Sequence, residues 1–168
     1  MARALPWLQR TFPSTVDARL YPNVVMRIRG TPARLEELFD GADDSIARRG
    51  AEGKWSAQEH AGHLIDLDRL HATRLDELLA RKPVLTAADM ANRATEEANH
   101  NARALADLLA EFRRERGALV AKLDALPAEA FELAARHPRL GTPMRLIDML
   151  VFVAEHDDHH LARIFELR

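Results

Sequence analysis

Apolar positions along this chain recur at the three- and four-residue spacing of amphipathic helices and hardly anywhere with the alternation of strands. Val24, Ile28, Leu35 and Leu38 predict a first helix over about 23 to 40, interrupted at Gly30-Thr31-Pro32. Pro32 is either the first residue of a new helix capped by Thr31 or a kink in one long helix, and Gly41 is a natural stop. A loop or short helix follows through Gly53. The second helix has the clearest start: Ser56-Ala57-Gln58-Glu59 reads as a capping box, with Trp55 just before it. Leu64, Leu67, Leu75 and Leu78 continue as its apolar stripe until Pro83 ends it.

A third helix is expected from about 87 to 123, with Leu105, Leu108, Leu109, Phe112, Leu119 and Leu123 as its apolar face and a break placed near 99–101. Leu126-Pro127 opens a connection, and residues 137–143 carry the turn formers of a loop. Thr142-Pro143 reads as the cap and first turn of a fourth helix running to about Phe165, its buried face marked by Leu146, Met149, Leu150, Val153, Leu161 and Ile164. The pattern is that of an all-α protein: one domain over 1–168, four helices around one core, with residues 1–20 as an N-terminal extension.

Composition narrows the chemistry. A net charge of −2 predicts no nucleic-acid partner and no anionic membrane surface. No apolar run approaches the roughly 20 residues of a membrane span, and the N-terminus lacks the apolar stretch of a secretory signal, so a cytoplasmic location is expected. There are no cysteines. A cysteine nucleophile and thiolate ligands are therefore excluded, and any thiol chemistry needs a thiol supplied by a substrate or cosubstrate.

Histidine is where the pattern breaks. His156 and His160 stand one helical turn apart, on the stripe that runs from Leu146, Met149, Leu150 and Val153 to Ile164. A single histidine on an apolar face is ordinarily a core residue satisfied by hydrogen bonds. Two imidazoles on one buried face share the cost of burial most simply through a shared metal ion. An open site needs about three protein ligands. The third belongs on the core face of another helix, where His63, His60 and His71 are all candidates and spacing alone does not choose among them. His159 falls off the stripe. His156-Asp157-x-x-His160 also resembles the zincin pattern, with a shorter acid in place of glutamate. Glu97-x-x-His100 resembles half of a di-iron motif, but no second copy accompanies it, so Glu97 and His100 are assigned to the solvated surface.

Two tracts together suggest a family. Trp55-Ser56-x-x-Glu59-x-x-Gly62-His63-Leu64-x-Asp66, followed by His137-Pro138 and by Glu155-His156-Asp157-Asp158-His159-His160-Leu161-Ala162-Arg163-Ile164, resembles the DinB-like superfamily, closest to its YfiT-like branch, over about 21 to 165. The resemblance implies a four-helix bundle with a long crossover connection, often dimeric. It implies a three-histidine metal site matching His63, His156 and His160, and so selects His63 over His60 and His71. It further implies a divalent ion, zinc or nickel, and a small-molecule substrate. The activities to expect are hydrolysis or transfer involving a low-molecular-weight thiol; the alternative is a non-catalytic helical bundle in which the ion is structural or which serves as a stress-response binding module. A homodimer is the expected assembly. Ala154-Glu155 stands where related sequences often carry an aromatic. Asp66, three residues after His63, is expected to orient a ligand imidazole, and Asp157 to act beside it as a proton carrier.

Overall fold

The computed structural model describes residues 5–10, 16–50 and 53–168. Four long helices form its frame: α1 (Tyr21–Phe39), α2 (Ala57–Leu79), α4 (Leu105–Asp124) and α5 (Leu146–Leu167), with a five-residue helix α3 (Arg93–Glu97) between α2 and α4. α1 and α2 each pack against both α4 and α5. α1 and α2 therefore lie diagonally across the bundle, as do α4 and α5, whereas α2 and α4 are side by side.

Local chemistry sets the ends of these helices. The capping box at Ser56 is complete: Ser56 Oγ accepts from the Glu59 amide at 3.0 Å, and the Ser56 amide donates to Glu59 Oε2 at 2.9 Å. α1 runs unbroken through Pro32, which resolves the Gly30-Thr31-Pro32 interruption as one continuous helix. Proline has no amide hydrogen, so the Ile28 carbonyl four residues earlier loses its helical partner. Arg116 Nη1 of α4 donates to that carbonyl at 3.0 Å.

Two expectations need correction. The stretch before Leu105 is not part of a long third helix. Asn92 and Asn99 both adopt left-handed backbone, at φ 51° and 50°, and two such residues interrupt any helix through this stretch. Nor does the last helix begin at Thr142-Pro143. Pro143–Arg145 forms a strand, β2, antiparallel to β1 (Ala134–Arg136), and α5 starts only at Leu146. Asp148 Oδ2 accepts from the Arg145 amide at 3.2 Å and caps that start.

The apolar core is divided in two. One cluster gathers Ile28, Leu75, Leu119, Leu146 and Leu150, and the other gathers Leu35, Leu64, Ile65, Phe112 and Ile164. Between them lies a buried polar layer of Thr31, Asp68, His71, Arg116, His156, Asp157 and His160. Arg116, only 1% exposed, is its hub. It donates to both Asp68 oxygens at 2.8 Å and to the two Asp157 oxygens at 2.5 and 3.0 Å, as well as to the Ile28 carbonyl. The Thr31 hydroxyl completes the set by donating to Asp157 at 2.7 Å. Burial pushes the Asp68 carboxyl up to about 6 against the pull of Arg116, a measure of how costly this charge is to bury.

Removing the hub cation alone leaves two carboxylates buried without a partner. Arg116→Met is expected to cost about 3–5 kcal/mol in denaturant unfolding, whereas adding Asp68→Leu and Asp157→Leu to it recovers most of the loss. A triple variant less stable than the single one would refute the hub. Ser56→Ala is expected to cost about 1 kcal/mol through loss of its cap, measured by the same unfolding series.

Candidate metal centre

Two helices converge at the polar layer. His63 comes from the second turn of α2, and His156 and His160 from consecutive turns of α5. All three are buried, at 4%, 6% and 5% exposure. Each offers a ring nitrogen, and these atoms lie within 4.8 Å of one another. His156 Nε2 and His160 Nε2 are 3.1 Å apart. Imidazoles on a tetrahedral zinc at about 2.0–2.1 Å would place their nitrogens about 3.3–3.4 Å apart, so this donor set fits a small divalent ion. No cysteine or fourth histidine joins the cluster among the described residues.

Burial keeps the rings neutral, as a metal requires. It pushes His63, His156 and His60 down to about 3, and His160 and His71 well below the usual imidazole value. The other two α2 candidates take different places. His60 Nδ1 lies 2.8 Å from His160 Nδ1, on the side of the His160 ring away from His156. His71 is buried in the polar layer with its Nδ1 unpartnered. His159 is half-buried, and its ring packs against Trp7 and edge-on to His160.

Of the two carboxylates expected at the site, one is near it and one is not. Asp66 reaches His63 through an intermediary. His63 Nδ1 lies 2.9 Å from Thr95 Oγ1, and Thr95 Oγ1 lies 2.9 Å from Asp66 Oδ2. Asp157 is turned away, because one residue along a helix rotates a side chain by about 100°; its oxygens are taken by Arg116 and Thr31. The zincin arrangement fails with it, since the acid following His156 cannot face an ion held by His156 and His160. Glu155 is likewise held at the surface by Arg10 and Arg27.

The sequence did not mark His100, Thr95 or Trp7 as neighbours of the site, whereas Trp55 stood at the head of the tract that carries His63. His100, assigned to the surface on sequence grounds, is 2% exposed and its Nε2 lies 3.0 Å from Asp66 Oδ2; Glu97 is exposed. Thr95 sits in a five-residue helix that periodicity cannot detect. The chain's two tryptophans flank the triad. Trp55 lies over His63 with ring centroids 4.8 Å apart, its indole nitrogen donating to Glu96 at 2.6 Å. Trp7, from the N-terminal extension, packs edge-on against His156 at 4.9 Å.

Neutral burial fixes a pH dependence. A histidine whose folded pKa lies below its unfolded value of about 6.5 stabilises the fold above that pH and loses the contribution as the pH falls toward 3. Each such ring withdraws up to about 1.4 kcal/mol per pH unit, and His60, His63, His71, His156 and His160 act together. Against a typical stability of about 5–15 kcal/mol, the metal-free protein is expected to unfold near pH 5 in a circular-dichroism titration. Equal denaturant midpoints at pH 7 and pH 4.5 would contradict this.

Comparison with known proteins agrees with the fold. The family model of the DinB superfamily matches residues 27–164. Among solved structures, YfiT from Bacillus subtilis, a probable metal-dependent hydrolase with an unusual four-helix bundle topology, superposes with a TM-score of 0.81 at 20% sequence identity, covering 94% of this chain and 91% of that one. No curated protein matches significantly by sequence. With a bundle of crossed helices, a converging histidine triad and a family match over most of its length, this chain belongs to the DinB superfamily.

Proposed function

We propose that this protein is a metal-dependent enzyme that binds one divalent ion, zinc or nickel, through His63, His156 and His160 and acts on a small-molecule substrate. The observation that carries the reading is the convergence of three buried, neutral imidazoles with no fourth protein ligand among the described residues. A structural site would be closed by four protein ligands. An ion held this way supplies Lewis acidity and lowers the proton affinity of a water or thiol toward neutrality.

The chain's own residues do the rest. The three rings would hold the ion, and among the described residues no fourth protein ligand closes the set. Trp55 packs against the His63 ring and Trp7 against the His156 ring. Asp157, Glu155 and Glu59 are each paired with an arginine, so none of the three adds its negative charge to the ligand set. That arrangement suits hydrolysis. Its likeness in fold to a probable metal-dependent hydrolase adds support. The absence of cysteine favours a second reading, transfer to or from a low-molecular-weight thiol cosubstrate, because no intrinsic thiol competes for the open position.

The purified protein is expected to carry about one divalent ion per chain. His156→Ala or His160→Ala should lose it, and His159→Ala should retain most of it, by elemental analysis. A cobalt-substituted form is expected to show a thiolate-to-metal charge-transfer band on addition of a small thiol, absent in His63→Ala. Turnover in an ester and amide panel, set beside a thiol-transfer assay, separates the two reactions. Cobalt that binds but ignores thiols and other anions would mark a closed, structural site and overturn the enzyme reading.

A further inference from the structure

The hydrogen bonds around His63 have a direction that follows from chemistry alone. An ionised carboxylate only accepts, and a threonine hydroxyl has one hydrogen to give. Burial opposes the charge on Asp66, but hydrogen bonds from His100 and Thr95 hold its carboxyl below the usual range. With Asp66 accepting, the Thr95 hydrogen points to Asp66 Oδ2 at 2.9 Å. The Thr95 oxygen is then free to accept from the His63 Nδ1 hydrogen at 2.9 Å. The proton of His63 therefore sits on Nδ1, and Nε2 carries the lone pair.

We infer that Thr95 is a positioning residue for the metal centre: it relays the carboxylate of Asp66 to His63, locks the ring in the tautomer that presents Nε2 to the ion, and raises its affinity as a ligand. The inference rests on the metal reading of the triad. Thr95 does not touch the ion; it acts through His63.

The surroundings are built to hold this relay. His100 Nε2 lies 3.0 Å from the same Asp66 oxygen, and its ring presses against the backbone of α2 at Gly62. A Cβ on Gly62 would stand 2.2 Å from His100 Cγ, far inside contact distance. A glycine inside a helix costs about 1 kcal/mol relative to alanine, so its place beside His63 has a reason: it makes room for His100. The segment carrying Thr95 and His100 is fastened along the start of α2. Gln58 Nε2 donates to the carbonyls of His100 and Arg103 at 2.7 and 2.8 Å. Ser56 Oγ donates to Asn101 at 2.7 Å, and Trp55 donates to Glu96.

Indirect partners of metal ligands are worth about 10–100-fold in affinity. The test is zinc affinity of the full, metal-stripped chain by competition with a chromophoric chelator, with circular dichroism of the metal-free forms as a control on folding. Thr95→Val, which keeps the shape and removes the hydroxyl, is expected to bind zinc about 10–100-fold more weakly. Thr95→Ser, which keeps the hydroxyl, should stay close to wild type. Nitrogen-15 NMR of the histidine rings in the wild-type protein supplies a second readout. His63 should be protonated at Nδ1 both before and after zinc is added. Wild-type affinity in a folded Thr95→Val variant overturns the relay while leaving the metal site standing, and so does zinc bound through His63 Nδ1. If Thr95→Val does not fold, Thr95→Ser and the ring tautomer decide. A wild-type chain that takes up no zinc or nickel overturns the metal reading and the relay's role in it; a His63 proton found on Nε2 in that chain overturns the hydrogen-bond assignment as well.

Discussion

The guanidinium of Arg116 on α4 is held by one group from each of the other three long helices: the Ile28 carbonyl of α1, Asp68 of α2 and Asp157 of α5. An apolar side chain at this point would tolerate small slips between helices. A planar cation with five fixed donors does not, because each displaced bond leaves a buried polar group unsatisfied. Arg116 sets both the axial register and the rotation of the helices around it. Asp157 adjoins His156, and Asp68 lies five residues after His63, so the constraint that fixes the two acids also fixes the histidines beside them. Splitting the apolar core into two clusters therefore creates a defined level in the bundle at which polar chemistry is aligned.

Pro32 shows how such a hub becomes affordable. An arginine this deep needs acceptors, and along the middle of an intact helix each carbonyl already accepts one bond. Proline frees one carbonyl without breaking the helix, and Arg116 takes it. The cost of the missing helical bond and the cost of the unfilled donor cancel each other in part, because each supplies what the other lacks.

The frame of the fold was legible because it depends on periodicity. The apolar stripes of α1, α2 and α5, the Ser56 capping box and the stop before Pro83 are all local signals, and the four long helices follow from them. His156 and His160 were visible for the same reason, since they interrupt a stripe at one-turn spacing. His63 was not separable from His60 and His71 by spacing; family likeness singled it out. The misreadings have a common cause. Residues 84–104 pack on α2, and the β1–β2 hairpin is held by its own pairing, by residues 83–85 and by α5; a helical pattern extrapolated through 84–104 ignores two asparagines in left-handed backbone. His100 and Thr95 contribute to the site only through tertiary contacts, so nothing near them in sequence announces it. Gly62 did carry a signal. A glycine in mid-helix, one residue before a candidate ligand, marks a place where another ring comes close.

On the proposed reading, the acids around the triad decide what kind of ligand an ion held there would favour. Asp157 neutralises Arg116, Glu59 bonds Arg49 and the Ser56 amide, and Glu155 and Asp158 bond arginines at the surface. Asp66 comes nearest but meets His63 through a hydroxyl. Each of these five negative charges is thus already committed to a cation or a hydrogen-bond donor. Three neutral rings do nothing to reduce the charge of a divalent ion, and the buried setting screens it weakly. On the proposed reading the charge at the open position is compensated from outside the chain. An anionic ligand, whether hydroxide or thiolate, is favoured there by the same burial that keeps the histidines neutral.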